Sequence, residues 1–386
     1  MKSVSIPVLT FHSIRPAELP WFWSHLSCPP SLFEAYLKYL KANRYRTVLL
    51  TDIVDCMDGR KELPKRSVAL TFDDGYLDNW TVAVPLLKKY GFCGTIFVNP
   101  DFVDSRDVIR EQVCNGDWTM MSREQVDGFM SWSELCEAQY MGALDVQSHG
   151  MTHTWYPSSD EIVDFHHPGD RYPWLAWNAR PERKYLWPAE DQSDSVELGV
   201  PIYAHGKSLI VRRYFEPKQV SERLTEFVKQ NGGVEFFQKP DWRAILHAEA
   251  SKLEVTGRYE SEDEYKARVL WELQTSCEEI SSRLGKPVEI IAWPGGGYND
   301  VTVEAARQAG YIGWDIQDTQ SPGIPRISVP VLNLGTAINR LIFIYKVETS
   351  RGAASWRLVQ WLIKHLNLAS ILLKRQAGNI GSRRGK

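Results

Sequence analysis

The 386-residue sequence has no apolar run of roughly 18 residues, so no membrane-spanning helix is expected. Its opening, MKSVSIPVLTF, lacks the apolar core of roughly 7–15 residues and the small-residue cleavage site of a secretory signal. Export by that route is not expected, and the location expected is cytoplasmic. Cysteine is sparse: six residues, at 28, 56, 93, 114, 136 and 277, form no Cys-x-x-Cys pair. That excludes a zinc knuckle or dithiol redox motif and leaves reduced thiols. There is no excess of basic charge, the formal net being −3, so a nucleic-acid partner is not expected. With 43% hydrophobic and 24% charged residues, disorder and fibrous repeats are excluded too. What is plentiful is tryptophan, at 15 residues, whose faces suit both cores and sugar rings.

One pattern recurs four times: an amphipathic stretch, a glycine, then a short β-forming run. The runs end at Val98, Val146, Trp293 and Ile316, and Gly91, Gly142, Gly285 and Gly310 stand where a helix stops in the left-handed region. Ser-x-x-Glu capping boxes predict helix starts at Ser31, Ser131 and Ser261. Such alternation predicts parallel strands with helical crossovers, in an α/β barrel or an open doubly wound sheet. It breaks between about 154 and 262, a Trp-, Pro- and Arg-rich stretch read as an insertion, a lid or subdomain. Helices are expected there over Val220 to Asn231 and Trp242 to Leu253, with a hairpin-like piece before them. The division is therefore 1–153 and 263–345 for the two parts of the main unit, 154–262 for the insertion and 346–386 for a tail. From Arg351 onward the tail has eight Lys or Arg and no acid. Leu358, Leu362, Leu366, Ala369 and Leu373 form one helical stripe in it, which suits either a packed terminal helix or peripheral contact with a membrane surface.

Three strand ends carry chemistry. Val68 to Leu70 leads into Thr71-Phe72-Asp73-Asp74-Gly75-Tyr76, where adjacent carboxylates repel unless one binds a cation while the other serves as a base. Leu144 to Val146 leads into Gln147-Ser148-His149-Gly150-Met151-Thr152-His153, whose two histidines, four positions apart, can face one ion. With Asp74 they make a facial His, His, Asp set that leaves coordination positions open. Ile290-Ile291-Ala292-Trp293-Pro294 leads into Gly295-Gly296-Gly297, whose backbone N–H groups can approach a ligand closely.

In this order the motifs resemble the polysaccharide deacetylases, the NodB-homology family or carbohydrate esterase family four. The likeness runs from Ser5 to about Val329, apart from the insertion. It implies a distorted seven-stranded (β/α) barrel and a metal-dependent carbohydrate N-deacetylase that removes an N-acyl, above all an N-acetyl, group from an amino sugar of a polysaccharide, glycolipid or precursor. It makes Asp73 the base, Asp74, His149 and His153 the ligands of a divalent ion (zinc first, then cobalt, nickel or manganese), and Gly295 an oxyanion donor. The chain departs from the family in two places. Where many members have an Arg that pairs with the base, it reads Ala292-Trp293-Pro294, and where they have a late Leu-x-His it has Asn333. His12 becomes the expected general acid, with His205 second. Trp155, Trp174, Trp177, Arg180, Trp293 and Tyr298 are the expected sugar contacts. Two alternatives stay open: a catalytically weakened carbohydrate-binding barrel, and a deformylase of a lipid-linked amino sugar.

Overall fold

The computed structural model describes residues 6–113, 116, 118–316, 323–329 and 336–350. The tail beyond 350 and the Leu332–Asn333 segment therefore lie outside the described residues. The strands are β1 (Val8–Phe11), β2 (Arg46–Thr47), β3 (Ser67–Phe72), β4 (Gly94–Val98), β5 (Leu144–Ser148), β6 (Trp155–Phe165), β7 (Pro201–Lys207), β8 (Tyr214–Phe215), β9 (Arg258–Tyr259), β10 (Ile290–Ile291), β11 (Gly313–Ile316), β12 (Ile324–Pro325) and β13 (Ile327–Ser328). The helices are α1 (Pro30–Ala42), α2 (Leu50–Met57), α3 (Val84–Tyr90), α4 (Trp132–Tyr140), α5 (Trp174–Ala179), α6 (Lys218–Gln230), α7 (Trp242–Ala250), α8 (Glu262–Leu284), α9 (Asp300–Gln308) and α10 (Thr336–Ser350).

The main sheet runs β12-β11-β10-β5-β4-β3-β1-β13, parallel throughout, with β2 on the first residues of β3. Its two ends are consecutive in sequence. β12 pairs with β11 while β13 pairs with β1, so the stretch Ile324–Ser328 closes the ring as one kinked stave. Counted this way there are seven staves among the described residues, the distorted barrel the motifs imply. Every residue of β3 and β4 is buried, as a parallel strand covered on both faces requires. Each fully buried Val, Leu or Phe in such a position contributes about 1.5–3 kcal/mol.

The helix stops fall as the glycines predict, with Gly91, Gly142, Gly285 and Gly310 at φ of 67°, 65°, 63° and 93°. The boxes at Ser131 and Ser261 form, each serine accepting the N–H of the glutamate three residues on. The one at Ser31 does not. Pro30 takes the first helical position, which its fixed φ and missing N–H favour, so Ser31 sits one residue inside the helix. Glu34 instead bonds Lys38, Lys89 and the Tyr90 hydroxyl. Helix α10 crosses the expected boundary at 346 and packs on α1, Phe343 stacking on Tyr36 at 4.0 Å.

The stretch 154–262 leaves the barrel as β6, two residues beyond His153. β6 pairs with β7 antiparallel, and α6 and α7 lie close to the expected spans. Phe165, Leu224, Val228, Phe236 and Leu246 give it a small core of its own. A second aromatic core, with Trp174, Trp177 and Trp187 against Tyr76, Phe102 and Phe129, joins it to the barrel. Among the described residues no helix is long and apolar enough to cross a membrane.

Candidate active site

The strand ends bring the first two motifs together. Asp74 and His153 have φ of 71° and 40°, a left-handed backbone rare outside glycine. Gly75 and Gly150 beside them adopt φ of 73° and 75°. Such strain persists only where the surroundings hold it, and it clusters at working sites. Here it turns Asp74, His149 and His153 inward, their ligand atoms all within 4.8 Å of one another. His149 Nε2 is 3.3 Å and His153 Nε2 3.4 Å from the same Asp74 oxygen. Tetrahedral zinc with bonds of about 2.0–2.1 Å holds its donors about 3.3 Å apart, so these residues fit the ion.

The ligand loop is fixed from several sides. His149 Nδ1 lies 2.8 Å from the Ala292 carbonyl, which sets the tautomer with Nε2 free. The Asn99 amide donates to the His149 and Gly150 carbonyls. Thr152 is gripped by two buried charges. Glu272 on α8 accepts its N–H and hydroxyl at 3.2 and 2.7 Å, and Lys184 of the insertion donates to its carbonyl at 3.0 Å and to Asp101 at 2.7 Å. Burial raises the Glu272 carboxyl above its ordinary value. Burial pushes His153 down to about 4, while His149 is raised because Asp74 and Asp73 outweigh the effect of burial.

Asp73 sits beside this set, 3% exposed. Its Oδ1 accepts from Arg326 at 2.6 Å and its Oδ2 is 3.7 Å from His12 Nε2. Burial would raise its carboxyl, but Arg326, His149 and His12 outweigh that and hold it below the usual value. Arg326 also bonds Asp315 at 2.9 and 3.1 Å, and Asp315 accepts the Trp293 N–H at 2.7 Å. The arginine absent from the third motif is thus supplied from the kink in the closing stave. His12 follows β1 directly, where Asn79 donates to its carbonyl at 2.8 Å and Asp78 binds Ser13 and Ile14.

These groups line a cavity of about 640 Å³, with Trp23, His25, Trp155 and Gly295 on its walls. Gly295 lies in the turn after β10 at φ 58°, with Lys207 donating to its carbonyl. Trp155 stands 5.7 Å from the His153 ring. Trp293 lines the floor, stacked on Tyr298, which itself stays outside the lining. Trp174 and Trp177 are placed differently from the expectation: both are buried in the joining core, 6% and 1% exposed, rather than on the wall. Arg180 is exposed beside Glu182, and His205 packs on Trp174, each away from the cavity. The sequence reading missed Arg326, Asp315, Trp23, His25 and Lys184. Only Asp315, an acid within a predicted strand of the ring, offered a local hint.

Residues 60–166 match the family model described as Polysaccharide deacetylase. The matched stretch takes in β3, β4 and β5 with the first two motifs, and over it the chain is similar to polysaccharide deacetylases. It is 37% identical over 97 residues to the "Putative polysaccharide deacetylase YxkH" of Bacillus subtilis (strain 168), a match covering 25% of this chain and 33% of that protein. It is 28% identical over 130 residues to the poly-beta-1,6-N-acetyl-D-glucosamine N-deacetylase of Escherichia coli (strain K12), covering 34% of this chain and 18% of that one. The chain thus spans a third or less of the curated relatives it matches. The fold also resembles a solved de-N-acetylase from Aggregatibacter actinomycetemcomitans, with a TM-score of 0.54 at 19% identity over 87% of this chain and 99% of the other.

Proposed function

We propose that the chain is a metal-dependent hydrolase that removes the N-acetyl group from an amino sugar. One observation carries this reading: a buried carboxylate, Asp73, held between Arg326 and His12 directly beside a three-residue ligand set in a tryptophan-lined cavity. Asp74, His149 and His153 would hold a divalent ion, and their spacing suits zinc. When bound, it supplies a Lewis acid and makes water acidic enough to lose a proton near neutrality.

Asp73 accepts that proton, since the carboxylate stays ionised beside Arg326. Gly295, on the cavity wall, would offer its backbone N–H to the oxygen of the attacked carbonyl. His12, across from Asp73, donates a proton to the leaving nitrogen, which is too basic to leave as an anion. Trp23 and Trp155 offer ring faces to the sugar. Arg326 beside Asp73 weighs against one of the two grounds for reading the barrel as a weakened binding module, the missing arginine; the other, Asn333 in place of a late histidine, lies outside the described residues. Acetate and formate release from N-acylated monosaccharides, lipid-linked sugars and oligosaccharides tests the proposal. Metal-dependent acetate release supports it, formate release alone points to the deformylase, and neither from any substrate rejects both.

A further inference from the structure

Two lysines of the insertion reach the loops at the ends of the barrel strands. Lys184 holds the ligand loop at the Thr152 carbonyl. Lys207, the last residue of β7, crosses to the third motif and donates to the Gly295 carbonyl. It forms no ion pair among the described residues and does not line the catalytic cavity, so its ammonium serves the glycine turn rather than the substrate. The lysine stem fits that turn as closely as its head does. A Cβ on Gly295 would come 3.0 Å from Lys207 Cε, and one on Gly297 2.8 Å from Lys207 Cδ. The bare backbone of these glycines therefore makes the groove in which the stem lies. Within the turn, the Gly296 and Gly297 N–H groups bond the Trp293 and Pro294 carbonyls at 2.7 and 3.2 Å. The turn thus closes on the second and third glycine amides rather than on that of Gly295.

The base from which Lys207 reaches is itself tied down. Lys207 pairs with Trp155 across β6 and β7, and the Ser208 N–H bonds the carbonyl of Thr154, the residue after His153, at 2.9 Å. The Ile210 N–H returns to the Lys207 carbonyl at 3.1 Å, and Arg268 on α8 donates to the Ser208 and Val211 carbonyls at 2.7 and 2.9 Å. Glu260 in turn holds Arg268 at 2.7 and 2.9 Å. The backbone of Lys207 is therefore fixed to the strand that leaves the ligand loop, while its side chain is fixed to the glycine turn. A short path of hydrogen bonds and side-chain atoms runs from His153 to Gly295 through this one residue.

We infer that Lys207 is a positioning residue for the reaction: it sets the Gly295 turn against the ligand loop, so that the Gly295 N–H and the ligand set address one carbonyl oxygen. The inference rests on the hydrolase reading and deepens it, giving the insertion a part in the chemistry. Negative charge grows on that oxygen in the transition state, and a donor helps most when it already stands in place. A run of three glycines is a poor holder of position, because its backbone has many conformations to choose from. A charged donor on the Gly295 carbonyl answers this, since such a hydrogen bond is roughly twice as strong as a neutral one.

The test compares the full chain with Lys207→Met, which keeps the stem and drops the ammonium. On the N-acetylated sugar that the parent cleaves best, kcat should fall about 10–100-fold with KM changed by less than about two-fold; removing a whole oxyanion donor costs about 100–1,000-fold. Zinc content and thermal midpoint should stay parental, and Lys207→Arg should recover most of the rate. Hydrogen exchange read by mass spectrometry should quicken over the Gly295–Gly297 turn and stay unchanged over β3 and β4. Gly297→Ala, whose Cβ meets the lysine stem, should slow the parent about ten-fold yet add little in Lys207→Ala, because both changes act on one contact. Parental kcat in Lys207→Met, a loss confined to KM, or unchanged exchange in the turn overturns the inference. Were the parent to release no acetate from any substrate, quicker exchange in Lys207→Met would keep Lys207 as the support of the turn and reject the hydrolase reading, while parental exchange would reject both.

Discussion

Replacing Arg326 with methionine would keep most of its apolar volume and remove the cation from between Asp73 and Asp315. Both carboxylates are nearly buried, their side chains 5% and 7% exposed. Opposite charges about 4 Å apart attract by about 4 kcal/mol at an effective dielectric near 20. Breaking a buried pair from one side costs about 3–5 kcal/mol, because the remaining charge is stranded. The two routes agree, so urea unfolding should show a loss of about 3–5 kcal/mol for Arg326→Met. Catalysis should respond with a definite sign. Arg326 holds the Asp73 carboxyl below its usual value, so its loss raises that value and moves the acid limb of the acetate-release profile to higher pH. At neutral pH, kcat/KM should fall about 100-fold, close to 2.7 kcal/mol of transition-state stabilisation. Arg326→Lys keeps a charge but cannot fork between two carboxylates, and should fall between the two. Parental stability and an unmoved acid limb in Arg326→Met would refute the reasoning.

The other predictions concern groups around the same centre or far from it. His12→Ala should slow amide cleavage much more than cleavage of an activated acetate ester, whose leaving group needs no proton; equal slowing on both would remove His12 as the acid. Lys184→Met should loosen the ligand loop and weaken zinc binding about 10–100-fold in chelator competition, and an unchanged affinity would show that Thr152 needs no such anchor. Glu34 is held down to about 2, because Lys89, Tyr90 and Lys38 outweigh its partial burial. A lowered carboxyl stabilises above its unfolded value near 4.5 and loses that stabilisation as pH falls toward 2. Glu34→Gln should therefore cost about 1 kcal/mol at pH 7, after discounting for solvent screening, and much less at pH 2; an equal cost at both would contradict the assignment.

The barrel was legible because its code is local. A helix, a glycine and an apolar run recur with the right spacing, and the glycines at 91, 142, 285 and 310 take the conformation that the stop requires. The Ser31 box misled because a proline one residue earlier competes for the same turn. Asp73, Asp74, His149 and His153 were visible because each lies within a few residues of the end of its strand. Arg326 was not, since it reaches Asp73 across 253 residues of sequence and only closure of the ring brings them together. The tryptophans of the insertion show the same limit from the other side. Trp155 reaches the cavity wall while Trp174 and Trp177 pack in the joining core, and composition cannot separate a wall from a core when both want large apolar rings.

Zinc content and acetate release, measured together on purified Asp74→Asn and Asp73→Asn, test the central claim most directly. The proposed mechanism gives Asp74 to the ion and Asp73 to the proton. Asp74→Asn should lose both zinc and activity. Asp73→Asn should keep zinc near the parental stoichiometry and lose several orders of magnitude in rate. A zinc-free Asp73→Asn, or one that releases acetate at the parental rate, would contradict the account.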